Sequence, residues 1–282
     1  MHLGTLFGVP LYLNRWFLLM VFAATYFGYT QQGMHGVYAF NAFLFMLYIC
    51  VAAHEYGHVG AGTAMGVEFT DVTLGAFGGV ATLKQGKIGT MSVPFRMTNK
   101  QEFVMVIFGP LANVFIALLL STYIHLTDVP ATKAAEVAFI NAEIERTGST
   151  QEPIGSWVST IVLFNDVDDF AVYLLIANLI MAVFNLLPLY PMDGGRLLYC
   201  FIRLFTGYYT ARRAATIISQ ILCIPVIYYA IVYEAYAVVF IVSIVFAVCF
   251  LERYVLNKEQ ALEEAVDELA RLQARVAEAE ES

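Results

Sequence analysis

The sequence predicts an all-α integral membrane protein with about six transmembrane helices. Its 282 residues are 60% hydrophobic and only 13% charged, whereas a soluble domain has about 45–50% apolar and about 25% charged residues. Crossing the hydrocarbon core of a bilayer takes roughly 20 apolar residues. Apolar windows of about this length lie near residues 11–29, 37–63, 103–126, 170–190, 214–232 and 235–251. The lipid bilayer is therefore the expected surroundings of the chain.

The predicted spans differ in how they are joined. The first is interpreted as a retained span, because no small-residue cleavage site follows it and further spans come after it. The last two are separated only by the region around Glu234, so they are expected to form a tight helical hairpin. Residues 131–146 have a helical composition and are predicted to lie along the outer face of the membrane.

The C-terminal end differs in composition from the rest. Residues 1–251 are predicted to form a transmembrane domain, and residues 252–282 a charged cytosolic helix. Within the latter, residues 257–282 are rich in Ala, Glu and Arg and carry Leu and Val at near-heptad spacing, a pattern typical of a single charged helix. A solvated terminal helix and a self-associating helix that makes a homo-oligomer both fit this pattern.

The distribution of positive charge predicts the orientation. Cytoplasmic flanks collect Lys and Arg, and the segment 127–169 holds only Lys133 and Arg146, against eight acidic residues. Both termini are therefore predicted to be cytoplasmic. The net charge of −8 comes mostly from this outer segment and the acidic tail, so it gives no indication of nucleic acid as a partner. The basic residues on the predicted inner side are Lys84, Lys87, Arg96, Lys100, Arg196, Arg203, Arg212, Arg213, Arg253, Lys258, Arg271 and Arg275.

Two histidines and a glutamate interrupt an otherwise apolar helix, "YICVAAHEYGHVGAG", residues 48–62. Positions i and i+4 lie one turn apart on one face, so His54 and His58 can bind one tetrahedral zinc ion. Glu55 lies about 100° round the helix and can reach a water at that ion. An ionisable side chain inside a span costs about 2.5–3.5 kcal/mol on insertion scales. Because metal binding removes that cost, a zinc site is favoured over a chance occurrence of the motif.

A catalytic zinc usually has three protein ligands and one open position. Asp193, in "NLLPLYPMDGGR", is the best third candidate, because the predicted spans 37–63 and 170–190 end at the same face of the membrane. An ordinary Asp-Gly turn that caps a helix over residues 196–206 is the alternative interpretation. The ligand interpretation is favoured because a zinc site needs an acidic residue nearby.

These motifs together resemble those of the site-2 proteases, the intramembrane zinc metalloproteases. "HEYGH", "FGPLAN" at 108–113 and "FNLLPLYPMDGGR" at 184–196 occur in this order on successive predicted spans. The resemblance covers roughly residues 1–250, and the nearest type is the compact six-span member without a PDZ domain. It implies that His54, His58 and Asp193 are the zinc ligands and that Glu55 is the catalytic acid and base.

The resemblance implies further roles. Asn185 would help to hold the substrate carbonyl or the oxyanion, whereas Gly109, Pro110 and Asn113 would be structural. Residues 72–84, "VTLGAFGGVATLK", resemble the family's hairpin or membrane-dipping loop, so the fold is expected to include a small membrane-associated β-hairpin or re-entrant loop.

An edge strand in this hairpin could pair with an unwound substrate, whose freed backbone groups need partners within the membrane. Gly78 and Gly79 would permit a close approach of the substrate backbone, so both are predicted to bind substrate. A plain glycine turn in a cytosolic loop is the alternative.

The predicted function is hydrolysis of a peptide bond in or near a transmembrane segment of a membrane-protein substrate, as in regulated intramembrane proteolysis. A membrane metal-binding protein or metal-ion transporter is the alternative, but a transport site has no specific need for Glu55. An inactive relative that serves as a scaffold is a third hypothesis, which the intact motifs oppose. Regulation is expected from the tail, a partner membrane protein or prior trimming of the substrate.

Overall fold

The computed structural model describes residues 1–75, 78–84, 86–88, 91–93, 97–127 and 167–281. The strands are β1 (His2–Leu6), β2 (Val9–Leu13), β3 (Phe69–Gly75), β4 (Gly78–Leu83), β5 (Gly86–Ile88) and β6 (Met91–Val93). The helices are α1 (Trp16–Ala64), α2 (Asn99–Leu126), α3 (Val167–Leu186), α4 (Asp193–Arg203), α5 (Tyr208–Val232) and α6 (Tyr236–Glu281). The chain divides into two compact units, Met1–Phe184 and Asn185–Ser282.

Helix α1 reverses direction and forms two arms, Trp16–Thr30 and Gly33–Ala64. Gly33, at the reversal, has a φ of 61°, which L side chains rarely adopt. Asn41 Nδ2 donates to Thr25 Oγ1 at 3.0 Å, although a straight helix would place residues so spaced about 24 Å apart. The two arms therefore run antiparallel, as expected if both cross the membrane.

The apolar helices make the chain an integral membrane protein. Within the part of the chain that the structure describes, four of them are long and apolar enough to cross a bilayer: Gly33–Ala64, Asn99–Leu126, Tyr208–Val232 and Val238–Gln273. Two shorter apolar helices, Trp16–Thr30 and Phe170–Leu186, coincide with the other two predicted spans. The count of six spans therefore stays a prediction.

The N-terminal residues differ from the prediction. Residues 11–13, which were expected to begin the first span, lie in strand β2, and the helix begins only at Trp16. Strands β1 and β2 form an antiparallel hairpin, whose turn residues Phe7 and Gly8 have φ values of 52° and 75°. Two residues of positive φ are typical of the tight turns that join such hairpins.

The hairpin predicted within residues 72–84 is confirmed as β3 and β4, which pair antiparallel with Gly75 opposite Gly78. It belongs to a four-stranded sheet with the order β1-β2-β3-β4, in which β2 and β3 are parallel. The chain is thus mostly helical with a small sheet, as predicted in outline, but this sheet has four strands where the sequence predicted a hairpin or re-entrant loop. Strands β5 and β6 make a separate two-stranded sheet.

The sheet packs on α1 through a buried apolar cluster and two tyrosines. The cluster joins residues of α1 to Val9, Val72 and Leu74 of the strands. The hydroxyl of Tyr48 donates to the carbonyl of Gly75 at 2.7 Å, and that of Tyr56 donates to the carbonyl of Val9 at 3.1 Å. These bonds bracket residues 49–55, so the sheet is held beside the histidine motif.

Helix α2 lies close against the second arm of α1. A Cβ added at Gly57 would lie 2.5 Å from the carbonyl oxygen of Phe108, so only glycine permits this approach. A capping box at Thr98 and Gln101 begins α2. The side chain of Gln101 also donates to the carbonyl of Met65 at 3.0 Å, which ties the start of α2 to the end of α1.

The second unit contains α4, α5 and α6. The predicted tight hairpin is confirmed: α5 and α6 are joined around Glu234, and Gln220 Nε2 donates to the carbonyl of Phe246 at 3.1 Å. The charged segment predicted at 257–282 is helical through Glu281 and continues α6 without a break. The helix predicted over residues 131–146 lies outside the described residues.

Helix α3 ends earlier than predicted. Its last residue is Leu186, whereas the predicted span continued to residue 190. Pro188 and Pro191 follow within five residues, and proline disfavours helical backbone both at its own position and at the residue before it. Residues 187–192 therefore form a loop that leads into α4.

Candidate metal centre

His54 and His58 are buried in the second arm of α1, with 5% and 7% of their surfaces exposed. Their spacing places both imidazoles on one side of the helix, as the sequence predicted. The Nε2 atoms lie 3.1 Å apart, and the rings are perpendicular, with an angle of 89° between their planes. Two nitrogen ligands of a tetrahedral zinc ion would lie about 3.3 Å apart, so the pair has the separation that a shared metal requires.

The Nδ1 atom of His54 is held by Asn113 of helix α2. The side-chain NH₂ of Asn113 donates to the carbonyl of Cys50 at 3.3 Å and to Asn178 Oδ1 at 2.8 Å. A carbonyl can only accept, so the amide oxygen of Asn113 must face His54, 2.7 Å from Nδ1. Nδ1 of His54 therefore carries the hydrogen, which leaves the Nε2 lone pair for a metal.

His58 is oriented by the backbone of α2 instead of a side chain. Its Nδ1 lies 2.9 Å from the carbonyl oxygen of Met105. Because that oxygen can only accept, Nδ1 of His58 carries the hydrogen and the lone pair of the ring is on Nε2. Both histidines are thus held in the tautomer that binds metal through Nε2.

Gly109 makes the room that the two rings occupy. A Cβ added at this position would lie 2.2 Å from Cε1 of His58 and 2.9 Å from Cε1 of His54. No other residue could be accommodated without moving an imidazole. Gly109, which the sequence analysis interpreted as structural, is therefore a direct part of the histidine site.

Glu55 projects from α1 toward strand β4. A Cβ added at Gly79 would lie 2.3 Å from Cγ and 2.9 Å from Oε1 of Glu55. The strand backbone can approach the carboxylate this closely only because Gly79 has no side chain. Its neighbour Gly78 has a φ of 131°, which also favours glycine. Both glycines of the predicted substrate site thus begin a strand that passes beside Glu55.

Asp193 is the first residue of α4 and is 6% exposed. The N-cap is Met192, so Asp193 is not the helix cap that the alternative interpretation required. The helix also begins at residue 193, three residues before the predicted range of 196–206. Gly194 and Gly195 allow the preceding loop to fold onto the first turn of α4, because a Cβ at Gly194 would lie 2.2 Å from the carbonyl oxygen of Leu187.

Three residues together offer the donors of a metal site. His54, His58 and Asp193 are all buried, and each offers one possible ligand atom for a metal ion. Two imidazole nitrogens and one carboxylate oxygen are a donor set that suits zinc. The described residues therefore fit the predicted metal, with room made for the rings by Gly109.

Asn185 lies in the last turn of α3 and is partly buried. Its predicted contribution to oxyanion binding stays a prediction.

Sequence reasoning missed the hydrogen-bond network behind His54. Asn113 and Asn178 are both fully buried, and Asn178 Nδ2 donates to Cys50 Sγ at 3.2 Å and to the carbonyl of Leu174 at 2.8 Å. A signal was present, because an asparagine inside an apolar span is costly unless its amide finds partners. That signal could have identified Asn113 as a group that bonds to a ligand.

The chain is similar to a curated protein and to a solved structure. A curated relative from Synechocystis sp., named "Putative zinc metalloprotease sll0528", is 24% identical over 213 residues, which is 73% of this chain and 45% of that protein. The chain thus spans about half the length of that relative. The solved structure of the site-2 protease from Methanocaldococcus jannaschii matches with a TM-score of 0.55 and 19% identity, over 90% of this chain and 94% of that one. This likeness establishes a shared fold.

The sequence model of peptidase family M50 matches residues 42–229, more than half of the chain. This range includes the histidine pair, Glu55, both hairpin glycines and Asp193. The chain therefore belongs to peptidase family M50.

Proposed function

We propose that the protein is an intramembrane zinc metalloprotease that hydrolyses a peptide bond in or near a transmembrane segment of a membrane-protein substrate, as in regulated intramembrane proteolysis. The observation that carries this proposal is the histidine pair, in which both Nδ1 atoms face acceptors and the two Nε2 atoms lie 3.1 Å apart. Asp193 supplies the third donor. Membership of a peptidase family supports hydrolysis over ion transport.

When bound, zinc supplies Lewis-acid polarisation of the scissile carbonyl and allows a water to act as a nucleophile at neutral pH. Glu55 follows a ligand in sequence without being one of the three candidate ligands. Its carboxylate takes a proton from the attacking water and passes it to the nitrogen of the leaving amine. The amide NH₂ of Asn185 donates to the developing oxyanion.

Strand β4 is the proposed docking edge for the substrate. It is the last strand in the order of its sheet, with β3 on its only paired side among the described strands. An unwound substrate segment that adds to this edge satisfies backbone groups that have no water partners within the membrane. Because Gly79 abuts the Glu55 carboxylate, this pairing brings the scissile bond to the catalytic glutamate.

We also propose that both termini are cytoplasmic, on the basis of the distribution of Lys and Arg. Reporter fusions after residue 30 and within residues 135–165 should then lie outside. Fusions near residues 88 and 208 and at the C-terminus should lie inside. A C-terminus found outside would contradict this orientation.

The decisive experiment measures zinc content and cleavage of a membrane-embedded substrate in the same preparation of wild type and Glu55→Gln. The variant keeps the shape of the side chain but cannot accept the proton of the water. Zinc content should be unchanged, whereas the cleavage rate should fall by about 10²–10⁴-fold, the usual contribution of general acid–base catalysis.

Glu68→Gln is the matched control, because Glu68 is exposed and pairs with Lys84 at 2.5 Å. Its cleavage rate should stay within about twofold of wild type, since exposed pairs contribute little. Undiminished cleavage by Glu55→Gln would contradict the mechanism. A wild type that binds zinc, conducts ions and cleaves nothing would support the transporter alternative.

A further inference from the structure

Tyr190, three positions before Asp193, ties the loop to helices α5 and α6. The N–H of Tyr190 donates to Ser219 Oγ of α5 at 2.8 Å, and its carbonyl accepts from the Cys249 thiol of α6 at 3.0 Å. Its hydroxyl donates to Glu252 Oε1 of α6 at 3.0 Å. The backbone and the side chain of this one residue are thus both held by two later helices.

An ion pair completes the contact. Arg212 of α5 pairs with the carboxylate of Glu252, and its Nη2 also donates to the hydroxyl of Tyr190 at 3.5 Å. The side chains of Arg212 and Glu252 are only 23% and 19% exposed, so this pair is screened less than a surface pair. Burial raises the pKa of Tyr190 to about 12, so its hydroxyl is protonated at neutral pH and can donate to Glu252.

The position of Tyr190 is transmitted to Asp193 through backbone contact. A Cβ added at Gly195 would lie 2.3 Å from the backbone nitrogen of Tyr190 and 2.6 Å from its Cα. The loop therefore rests directly on the first turn of α4, which Asp193 begins. A shift of Tyr190 toward α4 would therefore displace this turn.

We propose that Tyr190 is a positioning residue for the third metal ligand, and that the Arg212–Glu252 pair holds it in place. This inference rests on the proposed function, because it takes Asp193 as a zinc ligand. It extends that function by assigning the placement of the ligand to α5 and α6, at the point where α6 changes from an apolar to a charged sequence.

The test compares wild type with Tyr190→Phe, which removes one oxygen and keeps the ring. Zinc affinity is measured by competition with a chelator, and the geometry of the site is measured by the visible spectrum of the Co²⁺-substituted protein. Groups that orient a ligand typically contribute 10–100-fold to metal affinity or activity. We expect zinc affinity to fall by about 10–100-fold, the Co²⁺ spectrum to change, and kcat to fall more than KM rises.

Two adjacent arginines provide a matched control. Arg212 and Arg213 both lie on α5 and both contact α6, but Arg213 donates to Asn257 and Gln260 instead of Tyr190. Arg212→Gln should weaken zinc binding, and Arg213→Gln should leave it within about twofold, as expected for an exposed contact. If Tyr190→Phe does not fold, the two arginine variants test the inference instead, through their zinc affinity and their Co²⁺ spectra.

Zinc affinity and a Co²⁺ spectrum equal to those of wild type, with only a lower melting temperature, would overturn the inference, because Tyr190 would then be structural alone. A wild type that binds no zinc would contradict the proposed function. A zinc-binding wild type beside an unaffected Tyr190→Phe would contradict this inference only.

Discussion

The histidine pair and Asp193 are held by different means. His54 and His58 lie in the interior of a long helix, where their spacing sets their direction and groups of one adjacent helix orient their rings. Asp193 begins a short helix, and the loop before it is fixed by contacts to α5 and α6. The candidate ligands inside a helix are therefore placed largely by local sequence, whereas the candidate ligand after a loop depends on residues distant in the chain.

The largest effect that bears on this comparison is the loss of a ligand itself. His58→Ala and Asp193→Ala should each reduce zinc content from about one ion per chain to a small fraction, because a catalytic zinc has three protein ligands. His125→Ala is the matched control, since His125 lies in the last turn of α2, away from the cluster. Metal analysis of the purified proteins makes the measurement.

Full zinc content and activity in Asp193→Ala would show that the third ligand was assigned wrongly. The histidine pair would then hold the metal without Asp193. The contrast between ligands inside a helix and a ligand after a loop would no longer apply.

The same contrast explains what the sequence could predict. The spacing of His54 and His58 is a local feature, and a helical period translates it directly into a shared face. The hairpin formed by β3 and β4 was also predictable, because its glycines and short apolar strands are adjacent in sequence. Asp193 was identified only because a zinc site needs an acidic residue, together with the predicted threading of the spans.

Features that depend on distant residues were missed. The hairpin of β1 and β2 joins the sheet because β2 pairs in parallel with β3. The two strands are about 60 residues apart in the chain, so no local sequence pattern predicts that they pair. Asn113 was assigned to packing, although it bonds to His54. Tyr190 is an ordinary loop residue in the sequence, and only the folded chain brings Arg212 and Glu252 to its hydroxyl.

A smaller effect tests how the histidines themselves are held. Asn113→Ala removes the acceptor at Nδ1 of His54, so the ring loses its fixed tautomer and orientation. Zinc affinity or activity should fall by about 10–100-fold, as measured by chelator competition and cleavage. No side-chain substitution can have the same effect on His58, because its acceptor is the backbone carbonyl of Met105.

Asn178→Ala is the graded control for this variant. Asn178 bonds to Asn113 and not to the histidine, so its loss should weaken zinc binding less than the loss of Asn113. Equal zinc affinity in wild type and Asn113→Ala would show that the spacing on α1 alone orients His54.

The smallest effect concerns the charged part of α6. Truncation after Leu256 keeps Glu252, which holds Tyr190, and keeps Leu256 itself, which is 1% exposed. It removes the exposed contact of Tyr209 with Glu263 and the pair of Glu259 with Arg212, which at 3.8 Å is longer than the retained pair of Arg212 with Glu252. Exposed pairs contribute little to stability. Zinc content and cleavage should therefore stay within about twofold of wild type.

The exposed apolar residues Leu262, Val266 and Leu269 follow a near-heptad spacing. We therefore propose that this segment self-associates. Truncation should then lower the oligomeric mass measured in detergent by light scattering. Loss of zinc in the truncated protein would show that the placement of Asp193 also depends on the charged part of α6, beyond the Arg212–Glu252 pair. An unchanged oligomeric mass would exclude this segment as the self-association site.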